Sequence, residues 1–123
     1  MRIVVAEDSS TVRKLVAARL RADGYEVLEA EDGEQALELV RRHVPDLLVL
    51  DKVMPKLDGF EVVRALRDDP ATRDVPIVML TDRTSEDDVL GGLDLGVDEY
   101  MPKPFSPREL SLRVKRTLER RAR

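Results

Sequence analysis

Five residues with reactive or metal-binding side chains follow short apolar runs of the sequence. They are Glu7 and Asp8 after the first run, Asp51 after the third, Thr81 after the fourth and Lys103 after the fifth. If the runs are parallel strands, their carboxyl ends meet at one edge of a sheet, where open α/β sheets bind ligands. We therefore expect these five side chains to form one site.

The carboxylates of this set favour a hard cation. Three of them within about 4–5 Å would repel one another by about 3–4 kcal/mol per pair at an effective dielectric constant near 20, so a cation or protons must offset the charge. The chain has no Cys and one His, His43, which argues against disulfides, a zinc–thiolate site, a thiol nucleophile and a His-based triad. Oxygen ligands alone fit Mg²⁺ best, with Mn²⁺ as the alternative ion.

Two other ligand sites fit this sheet edge less well. A flavodoxin-like flavin site needs hydroxyls and amides around a phosphate after the first strand, where Glu7 and Asp8 would repel it. A phosphatase that forms an aspartyl phosphate commonly carries a second Asp two residues after the nucleophile, and this chain has Val53 there. The nucleotide-binding patterns G-x-x-x-x-G-K-[ST] and G-x-G-x-x-G are absent from the sequence.

The apolar runs have the composition of strands that are buried on both faces. Four are rich in β-branched residues and Leu, and a fifth is weaker: Ile3–Ala6, Val27–Ala30, Leu47–Leu50, Ile77–Leu80 and Val97–Met101. Helix-capping residues lie between and after them, at Ser9 or Ser10, Asp32, Asp58, Ser85 and Ser106, while Gly24 and Gly96 follow the first and fourth predicted helices. The pattern predicts a doubly wound, five-stranded parallel sheet with five helices in three α/β/α layers.

Composition limits the chain to one soluble domain. Its 123 residues, 42% hydrophobic and 37% charged, are enough for one core, and we assign residues 1–123 to a single domain. No apolar run approaches the roughly 18–20 residues of a membrane span, so we expect a cytoplasmic protein that does not enter a membrane.

The last predicted helix is basic. From Arg108 to Arg123 there are seven basic residues against two acidic ones, while the whole chain has a net charge of −4. Because Leu110, Val114 and Leu118 recur at helical spacing, we interpret the arginines as a solvated helix face, with an acidic partner or nucleic acid as the alternative. The acidic body repels phosphate backbones and argues against direct nucleic-acid binding.

The motifs together resemble the receiver domain of two-component response regulators, over essentially the whole chain. They are VVAEDSS at the first strand end, LLVLDKVMPKLDG around Asp51, IVMLTD at the fourth strand and DEYMPKPFSPREL at the fifth. The resemblance implies a flavodoxin-like fold similar to chemotaxis regulators, with strand order 2-1-3-4-5.

The resemblance also implies roles for the acidic residues. Asp51 would accept a phosphoryl group from a histidine kinase, a histidine phosphotransfer protein or a small phosphodonor. Asp8, Asp51 and the Val53 carbonyl would ligate Mg²⁺, and Glu7 would act through a bound water. The cation would neutralise charge as phosphorus is attacked.

Three further residues would respond to the phosphoryl group by the same resemblance. Lys103 would hold one of its oxygens, and Thr81 would donate its hydroxyl to it. Tyr100 would move inward with Thr81, changing the surface of helix four, strand five and helix five. The Lys103-Pro104 bond is a candidate cis peptide.

This sequence departs from the family pattern near the phosphoacceptor. Family members often carry a polar residue at the position of Val53, where it orients the hydrolytic water, so we predict slow self-dephosphorylation. Asp82 adds a charge where the family usually has a small residue, and Arg83 could counter that charge by reaching over the site.

The stretch KPFSPREL is similar to the branch of transcription factors with winged-helix output domains. Receivers of that branch dimerise through helix four, strand five and helix five. Candidate cross-subunit partners here are Asp98, Glu99, Arg113 and Arg116. Val89 stands where that branch often has a basic residue, which leaves Glu109 without its expected partner.

The sequence therefore predicts a phosphorylation-activated signalling switch that catalyses only its own phosphorylation and dephosphorylation and transforms no separate metabolite. Its expected partners are a kinase or phosphotransfer protein and a downstream effector or output domain, the latter not contained in this chain. The alternatives are a phosphorylation-independent interaction scaffold with the same fold and, more remotely, a small hydrolase of acyl phosphates or phosphate esters.

Overall fold

The computed structural model describes residues 1–81 and 96–121. Within these ranges it contains five strands and four helices. The strands are β1 (Arg2–Ala6), β2 (Glu26–Ala30), β3 (Leu47–Asp51), β4 (Ile77–Thr81) and β5 (Glu99–Pro102), and the helices are α1 (Ser10–Ala22), α2 (Gly33–His43), α3 (Gly59–Asp68) and α4 (Pro107–Arg121). The helix predicted after Ser85 lies outside the described residues, so α4 is the fifth helix of the sequence prediction.

All neighbouring strands are parallel, in the order β2-β1-β3-β4-β5. This confirms the flavodoxin-like α/β fold with the expected strand order. Every residue of β3 and β4 is buried, because each strand has a neighbour on both sides and helices cover the sheet. The parallel arrangement brings all five carboxyl ends to one edge.

Successive strand residues face opposite layers, which gives the domain two cores. Val4, Leu48 and Ile77 pack with the apolar faces of α2 and α3. Their sequence neighbours Ile3 and Leu47 pack with α1 and α4 instead. The alternation follows from the period of two in a strand, and it fixes which residues of each strand end point into which layer.

The predicted capping residues begin the helices. Ser9, rather than Ser10, caps α1 by accepting from the Val12 amide, and Asp32 accepts from the Gln35 amide at 2.8 Å. Asp58 forms a reciprocal capping box with Glu61 at the start of α3. Each bond satisfies an amide that has no partner inside its helix, so the three helices start directly after the loops at the sheet edge.

Strand β5 starts two residues later than the sequence pattern predicts. The Asp98 side chain accepts from the Ile77 amide at 2.9 Å, while the Asp98 amide donates to the Ile77 carbonyl at 3.0 Å. A side chain thus supplies the acceptor that a strand carbonyl would otherwise provide, and the regular ladder begins at Glu99, opposite Val78. In the described ranges no helix combines the length and the apolar character that crossing a membrane requires.

Candidate functional site

Three carboxylates converge at the carboxyl end of the sheet, as the sequence predicts. Asp51 is the last residue of β3, and Glu7 and Asp8 follow β1 directly. One oxygen from each lies within 4.8 Å of the others. Glu7 is 1% and Asp51 5% exposed, whereas Asp8 is exposed to solvent. The strand ends, which are adjacent in the sheet, are what bring these acids together.

Lys103 enters the same cluster from the loop after β5. Its Nζ lies 2.9 Å from Glu7 Oε1 and 3.3 Å from Asp51 Oδ2. Its backbone amide donates to the Thr81 carbonyl at 2.6 Å, and the Lys103-Pro104 bond is cis, as predicted. Burial alone would lower the pKa of Lys103, but the hydrogen bond to Glu7 and the charge of Asp51 outweigh burial and raise it. The lysine is therefore charged at neutral pH.

The charge of this acidic pocket, which we define as Glu7, Asp8, Asp51 and Lys103, is not balanced. One ammonium faces three carboxylates. Burial, followed by the hydrogen bond to Asp51, raises the pKa of Glu7 from 4.5 to about 7. Glu7 Oε2 is buried and accepts no hydrogen bond from any described residue. A buried oxygen without a donor is unfavourable. A bound proton or cation would therefore stabilise the pocket.

The residues present fit a hard divalent cation. The ligand atoms are all oxygens, they lie close enough for one ion to bridge, and their net charge is negative. Lys103 contacts Glu7 and Asp51, whereas Asp8 is exposed to solvent. Asp8 and Asp51 are the residues that would hold the ion, and Glu7 would act through a bound water.

Two of the three remaining predicted site residues lie on neighbouring strands. Thr81 ends β4, next to Pro102 of β5 in the sheet register, and it is buried. Tyr100 is buried among the core residues that face α2 and α3. Val53, in the loop after Asp51, has a side chain that is 67% exposed. Asp82 and Arg83 lie outside the described residues.

Two glycines allow the loop after Asp51 to pack closely against the first turns of α2 and α3. A Cβ at Gly59 would lie 2.8 Å from Lys52 Cα and 2.9 Å from the Asp51 carbonyl oxygen. A Cβ at Gly33 would lie 2.3 Å from the Leu57 carbonyl oxygen. The Gly59 amide donates to the Lys52 carbonyl at 2.7 Å. The backbone that carries Asp51 and Val53 is therefore held against two helices without intervening side chains.

Sequence reasoning missed Arg13, a buried arginine of α1 that contacts the backbone of this site. It is 6% exposed and donates to the backbone carbonyl of Glu7 at 2.9 Å. It also contacts the carboxylates of Glu29 and Glu31, at 3.3 and 3.7 Å. The signal was present in the spacing, because Arg13 precedes the buried residues of α1 by three, four and seven positions; these are Val16, Ala17 and Leu20.

Three of the four residues proposed for a dimer, Asp98, Glu99 and Arg113, form ion pairs within the chain. Glu99 accepts from Arg113 at 2.6 Å and from Arg120 at 3.0 Å, and Asp98 pairs with Arg67 and Arg121; Arg116 is exposed. In place of the partner expected at Val89, which lies outside the described residues, Glu109 accepts from Arg113 at 3.1 Å.

The fold and the pocket define a flavodoxin-like α/β domain with an acidic, lysine-bearing sheet edge. Residues 3–115 match the family described as Response regulator receiver domain. The chain belongs to this family, and the resemblance stated from its motifs is confirmed.

Curated relatives and solved structures agree with this assignment. The chain is 46% identical to the alkaline phosphatase synthesis transcriptional regulatory protein PhoP of Bacillus subtilis, over 97% of this chain and 49% of that protein. It is 43% identical to the phosphate regulon transcriptional regulatory protein PhoB of Pseudomonas aeruginosa, over 96% of this chain and 52% of that protein. The chain thus spans about half the length of these relatives.

Among solved structures, the chemotaxis protein CheY4 of Vibrio cholerae has a TM-score of 0.90 at 34% identity, covering 94% of this chain and 97% of that one. The receiver domain of the Francisella response regulator 1452 also has a TM-score of 0.90, at 31% identity and 97% coverage of both chains. The described fold is thus shared with receiver domains over nearly its whole length.

Proposed function

We propose that this chain is a phosphorylation-activated switch that accepts a phosphoryl group on Asp51. The observation that carries the proposal is the placement of Asp51, a buried carboxylate whose Oδ2 lies 3.3 Å from Lys103 Nζ, within 4.8 Å of two further acids. A merely structural salt bridge would not require those two acids. A cation-assisted phosphoryl acceptor uses all four groups.

The proposed chemistry is transfer of one phosphoryl group to a carboxylate oxygen. A bond forms between an Asp51 oxygen and phosphorus, while the bond from phosphorus to the donor breaks. The electron pair leaves with the donor, which is an imidazole nitrogen of a histidine kinase or phosphotransfer protein, or the acetate of acetyl phosphate. In a separate second step, water attacks phosphorus, the bond between phosphorus and the Asp51 oxygen breaks, and inorganic phosphate and the Asp51 carboxylate are released. The chain catalyses only these two steps on itself.

Mg²⁺, when bound, supplies positive charge to the phosphoryl oxygens. Asp8 and Asp51, with the Val53 carbonyl, would hold it. Lys103 already lies beside Asp51 and can move its hydrogen bond from Glu7 to a phosphoryl oxygen. As a compact cation with three donors, it can do so without losing its contact with the pocket.

The switch depends on contacts that exist only when the phosphoryl group is present. Thr81, at the end of the neighbouring strand, would donate its hydroxyl to a phosphoryl oxygen. Its movement would be followed by Tyr100 and then by the surface formed by the fourth predicted helix, β5 and α4. A shift from 1:99 to 99:1 needs about 5.5 kcal/mol of differential binding, which a few charge-assisted hydrogen bonds supply.

Val53 bears on how long the phosphoryl group persists. Its side chain is exposed, two residues after the acceptor, and it has no polar atom to orient a water. We therefore expect slow self-dephosphorylation, with Val53→Asn shortening the lifetime measured by intact mass after the donor is removed. An equal lifetime in both proteins would contradict this.

The proposed partners follow from the family and the relatives. A cytoplasmic histidine kinase or phosphotransfer protein would supply the phosphoryl group. The similarity to transcriptional regulators suggests an output in transcription, through an effector or output domain rather than through nucleic-acid binding by this domain. A homodimer through the fourth predicted helix, β5 and α4 would require Glu99 and Arg113 to exchange their pairing within the chain for pairing between chains.

The direct test is the intact mass of the purified protein after incubation with acetyl phosphate, with and without Mg²⁺. We expect one phosphoryl adduct that requires Mg²⁺, is absent from Asp51→Asn and persists in the control Asp68→Asn, an exposed carboxylate on α3. If the folded wild-type protein forms no adduct, the result would instead favour the phosphorylation-independent scaffold. Repeated turnover of the donor without an accumulated adduct would favour a small hydrolase.

A further inference from the structure

We infer that Arg13 is a positioning residue that sets the metal affinity of the acidic pocket by holding the peptide unit between Glu7 and Asp8. This inference rests on the proposed cation site and names a residue outside that site's own side chains. Arg13 lies in the first turns of α1, which is capped at Ser9, and its side chain reaches back toward the end of β1.

The backbone of Glu7 is fixed from two sides. Its amide donates to the Ala30 carbonyl of β2 at 3.1 Å, and its carbonyl accepts from Arg13 at 2.9 Å. That carbonyl belongs to the same planar peptide unit as the Asp8 amide. The Arg13 bond therefore restricts the rotation that directs the exposed Asp8 carboxylate toward Asp51.

The charge of Arg13 is largely balanced elsewhere. Its Nε lies 3.3 Å from Glu29 Oε1, and a terminal nitrogen lies 3.7 Å from Glu31 Oε1. These two carboxylates offset the long-range field of the guanidinium. The remaining connection to the pocket is the hydrogen bond to the Glu7 carbonyl, so Arg13 acts through geometry and not as a second Lys103.

The position of Arg13 near the N-terminus of α1 is unfavourable for a residue whose role is only to stabilise that helix. A cation near a helix N-terminus opposes the helix dipole, and an arginine buried to this degree requires acceptors for its donors. The acceptors it has are the Glu7 carbonyl and the Glu29 carboxylate of β2, with Glu31 as a further ion-pair partner. The planar guanidinium suits this arrangement because it donates in several fixed directions at once.

Arg21 offers a matched control on the same helix. It also donates to a backbone carbonyl, that of Val27 at 3.0 Å, and to Glu29 at 3.3 Å. Its carbonyl partner lies in β2, and it has no contact with Glu7. Removing Arg21 therefore removes the same types of bond without touching the peptide that precedes Asp8.

The experiment compares Mg²⁺ binding by isothermal titration calorimetry in the wild type, Arg13→Met and Arg21→Met. Thermal unfolding in EDTA is measured alongside as the readout of structure alone. We expect Arg13→Met to bind Mg²⁺ at least about 10-fold more weakly, within the range seen when residues that orient metal ligands are removed. Arg21→Met should stay within about 2-fold of the wild type, whatever its loss of stability.

Equal Mg²⁺ affinity in the two variants would overturn the positioning role. If Arg13→Met does not fold, Arg13→Lys decides, because it keeps the charge but loses the planar fork. A Kd about 3-fold or more above that of the wild type supports the inference, and an unchanged Kd overturns it. Failure of the wild type itself to bind Mg²⁺ would instead overturn the proposed cation site, so the two failures are distinguishable.

Discussion

Two clusters of charged side chains lie at opposite ends of the sheet, and they differ in how well their charges are matched. At the carboxyl end, the acidic pocket sets three carboxylates against one lysine, and no described residue donates to Glu7 Oε2. At the amino end, Arg67, Asp98 and Arg121 form what we call the Arg67 cluster, in which each group has partners.

The Arg67 cluster shows what a satisfied network looks like. Arg67 donates at 2.7 Å to each of the backbone carbonyls of Arg73, Val75 and Gly96. Asp98 accepts from the Ile77 amide and lies 3.1 Å from Arg121 Nε. Because its hydrogen-bonding capacity is used within the chain, this cluster joins α3, β4, β5 and α4 structurally. The contrast indicates that unmatched charge, and not the number of ionised residues, distinguishes the candidate site from a structural cluster.

The largest expected effect comes from breaking the satisfied cluster. Arg67→Ala should lower the free energy of unfolding by about 3 kcal/mol, because it removes the charged donor of three backbone carbonyls and one of the partners of Asp98 in a half-buried region. Urea denaturation followed by circular dichroism measures this. Arg64→Ala, at an exposed position of the same helix, is the control and should change little. A loss of Mg²⁺ affinity in Arg67→Ala would contradict the separation of a structural cluster at one end of the sheet from a cation site at the other.

Adding the missing charge to the acidic pocket should give an effect of similar size and opposite sign. Mg²⁺ at 100 times its Kd should raise the free energy of unfolding by about 2.7 kcal/mol. Thermal unfolding across a Mg²⁺ series measures the increase, with Asp51→Asn as the variant expected to respond less. Stabilisation of wild type and variant to the same extent would place the ion elsewhere.

Removing the unmatched charge should stabilise the metal-free protein. In EDTA at pH 8, Glu7→Gln is expected to raise the free energy of unfolding by about 2 kcal/mol, because the amide relieves repulsion from Asp51 and can donate. The folded pKa of Glu7, about 7, is above its ordinary 4.5. Wild-type stability should therefore be higher near pH 4.5 than above pH 7, declining as pH rises through the folded pKa. Glu7→Gln should flatten that part of the profile, and a wild-type profile without the decline would contradict this account.

The smallest expected effect comes from a carboxylate near the sheet edge that already has partners. Asp58 caps α3 and exchanges hydrogen bonds with Glu61. Asp58→Ala should lower the free energy of unfolding by about 1 kcal/mol without changing the Kd for Mg²⁺, whereas Asp58→Asn should retain most of the stability. Denaturation and calorimetry on both variants test whether proximity to the pocket, without unmatched charge, is functionally silent.

Most of the fold could be predicted because its signals are local. Runs such as Leu47–Leu50 and caps such as Asp32 act over a few residues, and the structure retains both. The start of β5 was misjudged because Asp98 replaces a strand contact with a side-chain bond to Ile77, and this depends on a partner 21 positions away in the sequence.

The candidate site likewise contains residues that could be predicted from the sequence and residues that could not. The sequence alone predicted that Glu7, Asp8 and Asp51 lie close together, because parallel strands end at a common edge of the sheet. The spacing of Arg13 matches the buried face of α1, but the acceptors of Arg13 and Arg67 could not be predicted, because they are backbone carbonyls and carboxylates of other elements. Residues that end strands were predictable, whereas arginines that join elements through backbone acceptors were not.

The glycine contacts at Gly33 and Gly59 identify positions where a side chain would displace the loop after Asp51. The backbone path is confined, since even a methyl group on either glycine would collide with it. The side chains that point away from this contact, such as that of Val53, are unconstrained by packing. Under the proposed function, a substitution at Val53 would therefore change the lifetime of the phosphoryl group without moving the backbone that presents Asp51.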